Sequence, residues 1–362
     1  MVVAAVGTAG LVVVHSAVSA IPVLIVVGFA QSAMWPTWNS LFAVMVPDDA
    51  LRPLVFARSF QLLNLGLGAG AMVAGAVVHV SDPSSFTTIY LLDGVTFLAV
   101  VVALLLLPAS VFPRPARTRD GRHPRGGFRE VISDRRFRRY LVASAFLAFA
   151  GYAAVEAGLV GYATHVVHAK PYVIAWAFGL NTGIIVALQP LGLGLAGRLR
   201  RSSSLMVCAA FFGGSWAVLL VAGMFTRSAL GNGLVVAMFG VFSLGEILLS
   251  PVGGPLVTML APAHLQGRYN ATAASVYTTL GVLGPSIAGV LLSAGMGDLY
   301  LALLMACSAA AMAGFWSMRR VLPPEIDNVR VAGATPGDVA GAESPAAAGG
   351  APFSAAPPAE AG

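Results

Sequence analysis

Apolar residues run along the chain in long blocks that short segments rich in Pro, Gly and charge separate. Among the stretches without Lys, Arg, Asp or Glu are residues 1–46, 59–81, 171–197 and 269–297. Each is long enough for the ~20 residues that a helix needs to cross the hydrocarbon core of a bilayer. The pattern lacks the two-residue alternation of an outer-membrane barrel, whose strands have about ten residues. The blocks therefore predict a bundle of transmembrane helices.

Hydropathy, with Pro, Gly and charge as boundaries, predicts ten such helices. Their approximate spans are 2–19, 21–46, 54–80, 87–107, 140–162, 172–196, 203–224, 231–260, 270–294 and 299–318. We expect four domains: a partial first half (1–107), a basic linker (108–139), a six-helix second half (140–320) and a cytoplasmic tail (321–362). The tail is expected to be disordered from about Pro323 onwards. Near the end of the linker, Phe128, Val131 and Ile132 have helical spacing, typical of either an interfacial membrane helix or a solvated linker helix.

Charge is scarce and unevenly placed. The chain has 21 Lys and Arg, 15 Asp and Glu, and 57% apolar residues, which excludes a water-soluble enzyme or a nucleic-acid-binding domain. If the linker is cytoplasmic, 19 of the 21 basic residues lie inside and only Lys170 and Arg227 lie outside. We therefore expect a multi-pass protein of the cell membrane with both termini in the cytoplasm.

The two halves share an internal repeat. At an offset of 215 residues, Val26 aligns with Val241, Gln31 with Glu246, Pro36 with Pro251, Leu41 with Leu256 and Pro47 with Pro262. Two parallel repeats joined by a basic loop are the plan of one large class of secondary transporters.

At these residues the sequence resembles the major facilitator superfamily. The segment from Leu260 to Asn270 is similar to the loop before the family's eleventh helix, and Gly284, Pro285 and Gly289 are similar to the Gly-Pro signature of that helix. Gly245-Glu246 followed by Ser250-Pro251 resembles the tenth helix of the drug-exporter-like bacterial branch. The resemblance covers about residues 2–320.

The resemblance also implies twelve helices, so the first two are expected to be missing. Either the chain is truncated at its amino terminus, which we favour, or it is a natural ten-helix form. The family's signature loop between the second and third helices is absent with them. Its second-half counterpart keeps Gly192, Arg200 and Arg201 but has Ala196 in place of an acidic residue. The candidates for conformational gating are Gly192, Arg200, Arg201, Arg268, Gly284, Pro285 and Gly289.

Ionisable groups at membrane depth are costly and need a reason. Glu246 lies near the middle of its span, where burial disfavours the charged form, so it is the first candidate for a proton carrier. The alternative is a neutral, hydrogen-bonded Glu that joins two helices. Glu156, one turn from Tyr152, is either a second proton or cation site or a solvated residue, and for Asp93 we favour a structural contact over proton coupling.

A polar and aromatic stripe on the second span indicates a substrate cavity. Gln31, Trp35 and Asn39 follow each other at four-residue intervals, with Trp38 beside them. By the family resemblance this span is the fourth helix, and it borders the central cavity together with the seventh and tenth. The substrate candidates are Gln31, Trp35, Trp38, Asn39, Tyr152 and Ser250. We expect Asn181 with Gln189, and Gln61 with Asn64, to form hydrogen bonds between helices.

The sequence contains no phosphate-binding Gly-Lys-Ser motif, metal cluster or Ser-His-Asp set. We therefore expect no enzyme and no cofactor, but a monomeric secondary transporter with protons and a small molecule as partners in the bilayer. A proton-coupled exporter of amphipathic compounds is the first hypothesis. An uptake carrier or facilitator of the same fold is the second, and a non-transporting or partner-binding membrane protein is the third. Ala71, where the family's antiporter motif has Pro, weakens the exporter assignment.

Overall fold

The computed structural model describes residues 1–14, 16–32, 34–46, 51–77, 82, 84–107 and 127–327. In the first half, helix α1 spans Val2–Gly10 and continues as a 3-10 turn, Leu11–Val13. It is followed by α2 (Ala17–Ser32), α3 (Met34–Met45), α4 (Arg52–Val77) and α5 (Ser84–Leu105). Helix α1 packs on α2 and α5, and α3 packs on α4.

The second half begins with α6 (Phe128–Ser133) and α7 (Arg135–Ala150). Then come α8 (Tyr152–Ala154), a π-helical turn (Val155–Leu159) and α9 (Val160–His165). The long helices α10 (Pro171–Ala196), α11 (Arg201–Gly223) and α12 (Ala229–Leu249) follow. The last elements are α13 (Gly253–Leu260), a 3-10 turn (Ala263–Leu265), α14 (Gln266–Ser293), α15 (Gly297–Met318) and α16 (Pro324–Asp327).

Side chains define several of these helix ends. The carboxylate of Asp134 accepts from the backbone N–H of Arg136 at 2.8 Å and caps α7, and it also accepts from the hydroxyl of Tyr269 at 2.9 Å. The hydroxyl of Ser228 accepts from the N–H of Gly231 at 3.0 Å and caps α12. Such caps satisfy N–H groups that have no partner within the helix.

Six helical segments within the described part of the chain are long and apolar enough to cross a bilayer. They are Ser84–Leu105, Tyr172–Ala196, Arg201–Gly223, Ala229–Leu260, Ala263–Ser293 and Gly297–Met318, and two shorter apolar segments cover Val2–Val13 and Val18–Gln31. The all-helical membrane class is therefore confirmed, whereas the count of ten spans is not.

The apolar core of the described residues lies in the second half. Helix α12 packs on α10 and α11, α11 packs on α15, and α15 and α14 both pack on α7. Most of the largest fully buried side chains, among them Trp216, Tyr300, Phe137 and Phe212, belong to this group of helices. The second half therefore forms the framework that positions the polar groups described below.

The two halves meet through α4 on α10 and through α3 on α13 and α14. Gln61 of α4 donates through Nε2 to the backbone carbonyl of Val186 at 2.5 Å, which confirms a predicted hydrogen bond between helices. Asn64 instead donates to the carbonyl of Phe60 in its own helix. The ring of Phe56 lies directly over Gly254, at the start of α13, where a side chain would overlap it.

Three sequence expectations need correction. The span predicted as one helix over 140–162 is broken at Gly151, whose backbone leaves the helical region. The span 231–260 is broken between Leu249 and Gly253, where Pro251 has no N–H to continue the helical hydrogen bonds. The disorder predicted from Pro323 is wrong for Pro324–Asp327, which form the short helix α16. The remaining tail, from residue 328, and the linker residues 108–126 lie outside the described residues.

The chain forms the expected helix at the end of the linker, as α6. Val131 is fully buried in the core of the second half, whereas Phe128 and Ile132 are exposed. The helix is therefore anchored to the protein by one apolar residue, and its relation to the bilayer stays a prediction.

Candidate functional site: a buried carboxyl beside a helix break

Glu246 of α12 is the acidic side chain at the centre of the candidate site. It is only 4% exposed and is surrounded by helices of the second half. Asn181 of α10 donates through Nδ2 to Oε2 of Glu246 at 2.5 Å and to the hydroxyl of Ser243 at 2.9 Å. One amide thus uses both of its N–H groups to join α10 to α12.

The direction of these hydrogen bonds limits which groups can exchange a proton. Ser243 gives its own proton to the backbone carbonyl of Phe239 at 2.7 Å, so it accepts from Asn181 and has none left for Glu246. The phenol of Tyr152 interacts with the carboxyl of Glu246 from α8. A phenol both donates and accepts, so Tyr152 can serve Glu246 in either protonation state. Glu246 and Tyr152 are therefore the members of the cluster that can respond to a proton.

Tyr152 reaches Glu246 because the helix that begins as α7 is interrupted after Ala150. Gly151 has φ −100° and ψ −108°, outside the helical region, and α8 and the π turn follow it. A Cβ at Gly151 would lie 2.7 Å from the Phe212 ring, so glycine is needed for this close approach. Helix breaks and π turns at membrane depth often occur at transporter binding sites.

A second polar contact lies one turn beyond the carboxyl. Gln189 of α10 donates through Nε2 to the hydroxyl of Ser250 at 2.8 Å and to the carbonyl of Ile247 at 3.2 Å. The predicted hydrogen bonds of Asn181 and Gln189 between helices are therefore confirmed. Ser250, a predicted substrate residue, lies at the break between α12 and α13 with this amide as its partner.

Two of the predicted gating glycines are sites of close helix packing. A Cβ at Gly192 of α10 would overlap the carbonyl of Ile247 in α12, and a Cβ at Gly284 of α14 would overlap the carbonyl of Ala153 in α8. Pro285 follows Gly284 inside α14, whereas Gly289 is exposed and has open space around it. Gly192 and Gly284 thus hold the two helices that flank the carboxyl cluster close to their neighbours.

The three candidate arginines have different environments. Arg201 is buried and donates to the backbone carbonyl of Ile326 in α16. Arg200 is exposed at the start of α11, and Arg268 is partly buried in the first turn of α14. Beside Arg201, the carboxylate of Asp327 accepts from the backbone N–H of Ser202 at 2.8 Å and from its hydroxyl at 2.9 Å. This contact was not predicted, because Asp327 falls in the segment that composition predicts to be a disordered tail.

Three other predicted site residues with described side chains, Asp93, Gln31 and Trp38, are not brought to the Glu246 cluster. Asp93 is exposed on α5, next to Gly94, which packs closely on α1. Gln31 is exposed near the end of α2, and Trp38 of α3 is partly buried with its ring 5.8 Å from that of Phe42.

The predicted stripe runs over two described helices, α2 up to Ser32 and α3 from Met34, and residue 33 between them lies outside the described residues. The side chains of Trp35, Asn39 and Glu156 lie outside what the structure describes, although their backbones belong to α3 and the π turn. The substrate roles of the stripe stay predictions.

A protein family and a solved structure are similar to this chain. The family model of the Major Facilitator Superfamily matches residues 1–285. A solved bacterial homologue of the iron transporter ferroportin, in an outward-facing state, is similar with a TM-score of 0.59 and 14% identity, over 88% of this chain and 80% of that chain. No curated protein sequence matches the chain. Because the family model covers most of the sequence, the chain belongs to the Major Facilitator Superfamily and is a membrane transporter rather than an enzyme.

Proposed function

We propose that this protein is a proton-coupled exporter of amphipathic small molecules, with Glu246 as the group that carries the proton. The observation that carries the proposal is the enclosure of this carboxyl by Asn181, Ser243 and Tyr152 beside a broken helix. A charged side chain at membrane depth costs about 2.5–3.5 kcal/mol on insertion scales, so a carboxyl retained there supports a functional role.

The geometry favours an indirect form of coupling. The described partners of Glu246 all lie in the second half: on α8, α10 and α12. Protonation therefore changes how these helices hold each other. Losing the charge reverses the hydrogen bond between the carboxyl and Tyr152, while the amide of Asn181 continues to donate. This couples the proton to the segment between α7 and α9.

The exporter direction and the substrate class rest on the family resemblance of the tenth and eleventh helices. We place the substrate between the halves, against the segment that carries Trp35, Trp38 and Asn39 and against Tyr152. Tyr152 then belongs to both sites, which gives substrate and proton a shared residue. The arginine-rich ends of α11 and α14 face the cytoplasm in this arrangement, and a single chain carries both sites.

Acid-loaded proteoliposomes test the proposal. The full chain is reconstituted, the vesicles are diluted into alkaline buffer, and accumulation of the amphipathic dye ethidium is followed by fluorescence. We expect the wild type to accumulate dye and Glu246→Gln to lose the accumulation that the pH gradient drives. Glu325→Gln, an exposed acid on α16, is the matched control and should behave as the wild type. Accumulation by Glu246→Gln at the wild-type rate would overturn the assignment.

A further inference from the structure

Trp216 lies in the second half of α11 and is fully buried. Its indole Nε1 donates a hydrogen bond of 2.6 Å to the backbone carbonyl of Ala150, the last residue of α7. Indole nitrogen is a donor only, so this side chain can satisfy a carbonyl and has no other polar function.

The Ala150 carbonyl needs an outside donor because of the break at Gly151. In a continuous helix this carbonyl would accept from the N–H of Ala154, four residues on. Here the N–H of Ala154 donates instead to the carbonyl of Gly151, at 3.1 Å. A buried carbonyl without a partner is unfavourable, and the Trp216 indole supplies the missing donor.

The same helix makes room for the break. Phe212, one turn before Trp216 on α11, lies against Gly151 where any side chain would collide. Its ring is stacked on that of Phe242, with the ring centroids 4.2 Å apart. The rings of Phe242 and Trp216 form a T-shaped pair with centroids 6.3 Å apart. Phe212 and Trp216 therefore hold the break from two directions: one occupies the space beside the glycine and the other binds the released carbonyl.

We propose that Trp216 is a positioning residue for the Glu246 site: its indole keeps the Ala150 carbonyl out of the helical ladder and thereby holds Tyr152 against Glu246. Without this donor, the N–H of Ala154 can return to Ala150 and the helix can close. A shift of one residue along a helix rotates a side chain by about 100°, which takes Tyr152 away from the carboxyl. The inference rests on the proposed function of Glu246 and assigns a role to a residue outside its immediate contacts.

A double-mutant cycle tests this route. Trp216→Phe, Tyr152→Phe and the double variant are compared in the ethidium assay across a series of external pH values. We expect Trp216→Phe to slow proton-driven accumulation about tenfold, the size expected for one buried hydrogen bond. In the Tyr152→Phe background, Trp216→Phe should slow accumulation less than about twofold, because the effects of coupled residues are not additive. The two single variants should also shift the pH profile in the same direction.

Leu219→Ala is the matched control, since Leu219 is fully buried on the same helix and has no polar group. It should lower thermal stability and leave the pH profile unchanged. Equal slowing by Trp216→Phe in both backgrounds would show that Trp216 only packs, and would overturn the inference. If Glu246→Gln retains gradient-driven accumulation, the proton role of Glu246 is wrong whatever Trp216 does. This result is therefore distinguishable from one that overturns only the positioning role of Trp216.

Hydrogen exchange gives a readout that does not depend on transport, and Gly151→Ala provides a second variant if Trp216→Phe folds poorly. We expect both variants to change amide exchange over Gly151–Leu159 and to leave exchange in α15 as in the wild type. Wild-type exchange over Gly151–Leu159 in a folded variant would contradict the proposal.

Discussion

Replacing Gly192 with alanine should push α10 and α12 apart beside the carboxyl cluster. The added Cβ would lie 2.9 Å from the carbonyl carbon of Ile247 and closer still to its oxygen. Non-bonded carbon atoms prefer about 3.5–4.0 Å, so one helix must move by about 1 Å. Overpacking of this kind costs about 1–3 kcal/mol. The hydrogen bonds from Asn181 and Gln189 to α12 should weaken with the same movement.

Gly194, two residues further along α10, is the matched control, because a Cβ there has no neighbour within 4 Å. Both variants replace a helical glycine by alanine, so the gain in helix propensity of about 0.5–1 kcal/mol is common to both and cancels. At about 2–4 °C per kcal/mol, Gly192→Ala should melt about 2–12 °C below Gly194→Ala. Thermal unfolding in detergent, followed by size-exclusion chromatography, measures the difference. Equal melting temperatures would refute the close packing of α10 on α12.

Two further predictions concern polar contacts in the second half. Asn181→Ala removes the amide that donates to both Ser243 and Glu246, and it should destabilise the protein by about 1–3 kcal/mol. Asn232→Ala is its control in the same melting assay, because the side-chain oxygen of Asn232 on α12 has no hydrogen-bond partner among the described residues. An equal loss in the control would contradict the assignment. Asp327→Ala removes the acceptor at the start of α11 and should cost about 0.5–2 kcal/mol, like other helix caps. It should also speed hydrogen exchange at the first turn of α11, whereas Glu325→Ala should leave that exchange unchanged.

The membrane class, the transporter family and the buried acid Glu246 could be predicted from sequence because each depends on a local pattern. Long charge-free blocks predict membrane helices, and a carboxyl in the middle of such a block stands out from its neighbours. The polar residues Asn181 and Gln189 share one helical face with a spacing of eight residues, which is why their bonds to α12 could be predicted. Membrane helices and residues that share a helical face can thus be predicted from the spacing of residues alone, without knowledge of tertiary contacts.

The helix breaks could not be predicted in the same way. Gly151 lies in an apolar block that already contains several small residues, and only the ring of Phe212, about 60 residues further along the chain, makes glycine necessary there. Asp327 was missed for a related reason, since its partner is the backbone of Ser202, 125 residues away. Composition indicated disorder in that segment, but a single buried carboxylate on a helix terminus outweighs composition locally.

Proton release on binding of ethidium tests most directly whether Glu246 carries the coupled proton. Purified protein in weakly buffered detergent solution receives ethidium, and the pH change is recorded with a soluble indicator dye. If Glu246 carries this proton, the wild type releases protons when ethidium binds, whereas Glu246→Gln binds ethidium without releasing any. Equal release from both proteins, or binding to the wild type with no release at all, would contradict this role of Glu246.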